Sequence, residues 1–260
     1  MELIKSNDSK YEEYETLLLE RDQIRKESGQ IWTSYMQIFG RLLCDIYEEK
    51  VECIKRKKMI AYYQRALNHG DMIDPEAMRK YLDQEMAIYQ AELERMLKDH
   101  EICQNAGVST AYEVERSKTL YRRLAKLLHP DINPETDRTE TLRELWVRIQ
   151  IAYAKNDVKE LSELEVLTRK ALKELGAGQI QIDIPDIEEK IGTVRKEIQG
   201  LMRSEPYIHR FLLEDEAAVE KKKKELTEEL EAYRKYQDEL DRVIEEMMKK
   251  GGIRIKWRMN

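Results

Sequence analysis

Phenylalanine occurs twice in this 260-residue chain, cysteine three times, proline five times and glycine ten times. So little Gly and Pro leaves few of the turns that a protein of many short strands needs. With 38% charged and 41% hydrophobic residues, the composition is that of long amphipathic helices. Scarce Phe beside abundant Glu, Lys, Leu and Tyr predicts narrow apolar seams in place of one thick core. Cys44, Cys53 and Cys103 form no CxxC pair, which excludes a sequence-evident zinc ribbon and predicts small core thiols in a reduced compartment. No stretch approaches the roughly 18 apolar residues of a membrane helix. Met1 to Lys10, carrying Glu2, Lys5 and Asp8, has no apolar run of the signal-peptide kind. The expected location is therefore the cytoplasm, with no membrane partner. A net charge of −6 argues against coating nucleic acid, which demands an excess of Lys and Arg. Gly-rich phosphate loops, Ser-His-Asp arrangements and metal-ligand spacings are missing too, and His69, His100 and His209 read as ordinary surface or seam residues. No enzymatic activity, cofactor or metal is expected.

What is present is periodicity. From Tyr11 to about Leu67 no Pro intervenes, and Leu17, Ile24, Ile31 and Ile38, then Ile46, Cys53, Ile60 and Leu67, recur every seven residues. This predicts a long helix whose buried stripe shifts midway. Asn68 to Asp71 is a turn cluster, and Asp74-Pro75 opens a second helix that Gly107 would end in the left-handed conformation. Thr110 with Glu113, Asp137 with Glu140 and Asp157 with Glu160 have capping-box spacing, which predicts helices near 111–128, 138–155 and 158–175. Asp186 is expected to cap a helix to about Arg203, and a last helix is expected from about Ser204 to Lys249. Its seam is Leu212, Val219, Leu226, Tyr233, Leu240 and Met247, with Tyr236 and Val243 at the other core position. Ile180, Ile182 and Ile184, and again Ile253, Ile255 and Trp257, alternate as short strands do, and the two segments could pair.

One segment is more specific. Tyr121-Arg122-Arg123-Leu124-Ala125 is followed by His129-Pro130-Asp131 and Asn133-Pro134, then by Trp146, Ile149, Ala152 and Tyr153. A Gly107-Val108-Ser109 turn precedes the histidine by 22 residues. A lone His-Pro-Asp tripeptide is weak evidence. Together these residues resemble the second helix, HPD loop and third helix of the J-domain (DnaJ-like) family, over about 107–155. Leu127 and Leu128 stand where that family often has Lys and an aromatic, and its Gly/Phe-rich and zinc-binding regions have no counterpart. The likeness is to divergent members that carry only the J domain.

The residues themselves agree with that likeness. Leu120, Tyr121, Leu124, Leu127 and Leu128 line one helix face, and Leu142, Leu145, Trp146, Ile149, Ala152 and Tyr153 line another. Arg116, Lys118, Arg122, Arg123 and Lys126 make a basic ridge able to steer an acidic partner. The resemblance implies docking on a DnaK-type heat-shock ATPase and stimulation of its ATP hydrolysis. His129, Pro130 and Asp131 would be the signalling loop, and Arg122, Arg123 and Lys126 the docking cations. Tyr121, Leu124, Ala125, Leu128, Trp146, Ile149, Ala152 and Tyr153 would form the J-domain core.

The expected fold class is all-α, a J-domain hairpin embedded between long coiled-coil-like helices, with one short two-stranded ribbon if the alternating segments pair. The pattern, with the resemblance, implies an N-terminal long-helix hairpin (1–100), a J domain (101–175), a linker with a possible short strand (176–186), C-terminal coiled-coil helices (187–250) and a basic tail (251–260). Its long helices are read as client-binding, targeting or homodimerising elements. The alternative is a structural coiled-coil adaptor whose J-like domain no longer signals.

Overall fold

The computed structural model describes residues 2–107, 109–175 and 186–250. Every regular element among them is a helix, so the fold is all-α. In chain order these are α1 (Glu2–His69), α2 (Pro75–Gln104), α3 (Ala111–Leu128), α4 (Glu135–Arg138), α5 (Glu140–Ala154), α6 (Val158–Glu174), α7 (Ile187–Arg203), α8 (His209–Leu213) and α9 (Glu216–Lys250). Val108, the alternating isoleucine segments with their predicted ribbon, and the 251–260 tail lie outside the described residues.

Side-chain caps set several boundaries. Asp74 accepts from the Glu76 and Ala77 amides with Pro75 at the first helical position, which opens α2. Thr110 and Glu113 bond reciprocally at the start of α3, and Asp157 accepts from the Glu160 amide to open α6. Each such cap is worth about 1 kcal/mol.

Other boundaries depart from the pattern. Asp137 lies inside α4, and α5 starts after Thr139 without a side-chain cap. Asp186 precedes α7 in the left-handed region and makes no cap bond. α2 ends at Asn105 in right-handed geometry, and among the described residues the left-handed glycine is Gly70, at φ 69°, in the turn after α1. The single helix expected over 204–249 is divided. Pro206 has no N–H to give and disfavours helical geometry at Glu205, and Asp215 caps a fresh start by accepting from the Ala217 and Ala218 amides.

Two compact units are built from non-consecutive stretches. One comprises the described parts of Met1–Trp32 and Gly107–Arg210, the other those of Thr33–Ala106 and Phe211–Asn260. The blocks predicted from pattern are consecutive; the units interleave them.

In the second unit, Tyr35, Met36, Phe39, Ile46 and Cys103 bury with Leu226 and Leu230. All three cysteines are buried free thiols. The seam differs from the expected one at two places. Ile38 is 39% exposed while Phe39, seven residues before Ile46, is fully buried, so the stripe has already shifted by residue 39. On α9, Leu230 and Ile244 are buried, whereas Tyr236 and Val243 are exposed. At 3.6 residues per turn, the fourth residue after Leu226 or Leu240 lies nearer the seam line than the third. Arg56 pairs with Asp241 at 2.7 Å and Arg234 with Glu49 at 3.0 Å along the edges.

Among the described residues the first unit has two apolar clusters. α3, α5 and α6 pack around Leu120, Leu124, Leu128, Leu142, Ile149, Leu161 and Leu164. Tyr14, Leu18 and Ile24 of α1 pack with Ile191, Val194 and Ile198 of α7, and with Ile132 from the loop after α3.

Candidate functional site

α3 is amphipathic, and its two faces place the predicted residues differently. Tyr121, Leu124, Ala125 and Leu128 point inward and share one cluster with Trp146, Ile149, Ala152 and Tyr153, all of them buried. Burial of this kind contributes about 1.5–3 kcal/mol for each large side chain. The Tyr121 and Tyr153 rings stack at 3.9 Å, and Trp146 stands 5.8 Å from Tyr121. Arg122, Arg123 and Lys126 lie on the exposed face.

α3 stops at His129, whose extended backbone (ψ 125°) is what a residue before proline prefers. The loop is closely bonded. The Ile132 and Asn133 amides both donate to the His129 carbonyl, at 2.8 and 2.7 Å. The Asn133 side chain donates to the Leu127 carbonyl at 2.9 Å and accepts from the Glu135 amide at 3.1 Å. Asn133 thus ties the end of α3 to the start of α4.

His129 is not on the surface. It is 3% exposed, with its ring edge-on to Trp146 at 5.1 Å. Nδ1 accepts from the Asp131 amide at 3.1 Å, so a neutral ring carries its proton on Nε2. Nε2 faces Asp22 Oδ2 at 3.6 Å and the Arg21 guanidinium at 3.3 Å, both from α1. Tyr121 donates its hydroxyl proton to the same Asp22 oxygen at 2.7 Å. Burial acts to raise the Asp22 pKa. Hydrogen bonds from His129 and Tyr121, with the neighbouring imidazole and Arg21, override it and hold the carboxyl below its usual value. Arg21, also buried, reaches Asp131 at 3.6 Å and Glu197 of α7 at 3.4 Å. Asp131 remains partly exposed, and Pro130 is half-buried.

Two of the three ridge cations predicted to meet a partner are engaged in ion pairs. Lys126 pairs with Glu15 of α1 at 2.8 Å, and Arg123 lies 3.4 Å from Glu165 of α6. Arg122 lines an open cleft of about 530 Å³ with Lys118, Lys126, Glu15 and Glu20. A little further along α1, Lys26 lies over the Tyr153 ring at 3.7 Å and donates to Ser117 at 3.2 Å and to Asn156 at 2.5 Å. Asn156 itself adopts φ 54°, a left-handed conformation that Asn tolerates better than most residues.

Arg21, Asp22, Lys26, Glu197 and Ile132 did not stand out in the sequence. One signal was there: Tyr14, Arg21 and Ser28 occupy the heptad core position that complements Leu17, Ile24 and Ile31. A charged residue at such a position is expensive unless paired. Among the described residues no group of three or more His, Cys, Asp or Glu side chains is placed to hold a metal ion. No helix there is long and apolar enough to cross a membrane. No family model, no curated protein and no solved structure matches this chain.

Proposed function

We propose that this chain is a J-domain co-chaperone that binds a DnaK-type heat-shock ATPase and stimulates its ATP hydrolysis. The observation carrying the reading is the arrangement at the end of α3. A basic helix face leads into a tightly bonded His129-Pro130-Asp131 loop, and the opposite face packs on the helix bearing Trp146, Ile149, Ala152 and Tyr153. That arrangement fits a docking element that positions a loop against a partner. Under this reading the chemistry belongs to the partner's ATPase, the working compartment is the cytoplasm, and the long helices serve client binding, targeting or self-association.

One observation favours the second reading, a structural adaptor that no longer signals. His129 is 3% exposed, with Arg21 and Asp22 over it. Single-turnover ATP hydrolysis by a purified DnaK-type chaperone separates the two. The co-chaperone reading expects acceleration by the wild type and its loss in His129→Gln and in the milder Asp131→Asn. Absence of acceleration by wild-type protein at any concentration, together with absence of binding, leaves the adaptor.

A further inference from the structure

The proposed docking surface is already occupied by the chain's own α1. Glu15 pairs with Lys126, and Glu20 lines the cleft opposite Lys118 and Arg122. Asp22 faces His129 while Arg21 holds Asp131. Acidic side chains against a basic ridge are what a negatively charged partner surface would itself present. We infer that α1 is an intramolecular stand-in for that partner: the resting chain masks its chaperone-docking surface, and engagement displaces α1. This rests on the co-chaperone reading.

The cover is fastened differently over the ridge and over the loop. On the ridge side, α1 contributes one ion pair across an open cleft, between the exposed Lys126 and the mostly buried Glu15, and Glu20 lines the same cleft. Apolar packing is concentrated at Tyr14, Leu18 and Ile24, which bury with α7 and take in one side chain from the loop, Ile132. α1 is therefore held by its packing on α7 and by the buried Arg21 and Asp22 contacts at the loop more than by its ion pair to the ridge. Apparent affinity for a partner falls by the fraction of molecules that are open. A chain open about one-tenth of the time binds about tenfold more weakly than one held open.

The test uses the full chain. Glu15→Lys/Arg21→Glu reverses the ion pairs over Lys126 and Asp131 and leaves every proposed docking residue in place. Hydrogen exchange at residues 129–136 reports whether the loop has opened, and single-turnover hydrolysis gives the half-maximal concentration. The expected result is an opened loop and a concentration about tenfold lower. Independently of that variant's folding, exchange at residues 11–28 of the wild type should rise when the chaperone binds. Masking is overturned if the chaperone binds wild type with protection of 11–28 unchanged, or if the opened variant stimulates no better than wild type. Stimulation by neither form, with the loop shown to be open, overturns the co-chaperone reading itself.

Discussion

Arg21 reaches Asp131 at 3.6 Å from a side chain that is only 10% exposed, and Asp22 at 3.4 Å and Glu197 at 3.4 Å share the same guanidinium. Three carboxylates around one buried cation fix α1 over the loop. Stripping one partner from a buried pair costs about 3–5 kcal/mol when the other is left unpaired. Asp131 and Glu197 are open enough to rehydrate, which leaves Asp22 as the strained group. Arg21→Ala is therefore expected to lower stability by an amount near the bottom of that range, read from the urea midpoint. A loss within about 0.5 kcal/mol, the size of an ordinary surface change, would contradict the buried role.

Acid should loosen the same contact. The Asp22 carboxyl sits below its usual value of 3.8 in the folded chain, so its contribution is fully present above that value. It is lost as the pH falls through the depressed folded value. Exchange protection at 129–136 is expected to collapse more steeply in acid for wild type than for Asp22→Asn. Tyr121→Phe, which removes the 2.7 Å bond, should weaken the same protection at neutral pH by about 1.5–3 kcal/mol.

Alkali should act in the other direction through Lys26. Burial first, then the Lys118 charge, brings its pKa down from 10.5 to about 8. Between those two values the unfolded chain binds a proton that the folded chain has released, so stability rises with pH there. Tyr121 and Tyr153, whose pKa values burial raises, reverse the trend once unfolded tyrosines ionise near about pH 10. The wild-type urea midpoint should climb between about pH 7 and about pH 9.5, and Lys26→Met should remove the climb. An equal climb in both proteins would assign it to another group.

In the second unit, Gly40 is set by a close approach. A Cβ there would lie 2.5 Å from His100 Nδ1 and 3.1 Å from the Met36 Cε methyl. Helix propensity favours alanine by about 1 kcal/mol. Overpacking costs about 1–3 kcal/mol, and the ring has little room because Nδ1 also contacts the Met36 carbonyl at 3.2 Å. Gly40→Ala is expected to be net destabilising by thermal unfolding, whereas Gly29→Ala, with open space around it, should stabilise.

Local order was legible because it is written in neighbours along the chain. Seven-residue recurrence marked α1 and α9, and the caps at Asp74, Thr110 and Asp157 marked helix starts. The inward face of α3 followed from spacing, since two turns of helix bring Tyr121, Leu124 and Leu128 to one side, whereas Ala125 came in only through the resemblance. Where spacing was ambiguous by one residue it misled: Ile38 in place of Phe39, and Tyr236 and Val243 in place of Leu230 and Ile244. A seam read at exact sevens does not register that a straight helix drifts relative to that repeat.

The covering of His129 was decided by tertiary structure alone. Arg21 and Asp22 stand more than a hundred residues before the loop, and Glu197 more than sixty after it. Nothing in a local pattern couples a cation on one helix to a carboxylate in a distant loop and another on a distant helix. Their meeting depends on how α1, α7 and the loop bury Ile132 between them, and an apolar contact of that kind is nondirectional and has no sequence signature of its own. The sequence determined an all-helical chain carrying a basic ridge and an HPD loop. The packing of that chain decided that the loop's histidine faces Arg21 and Asp22 instead of water.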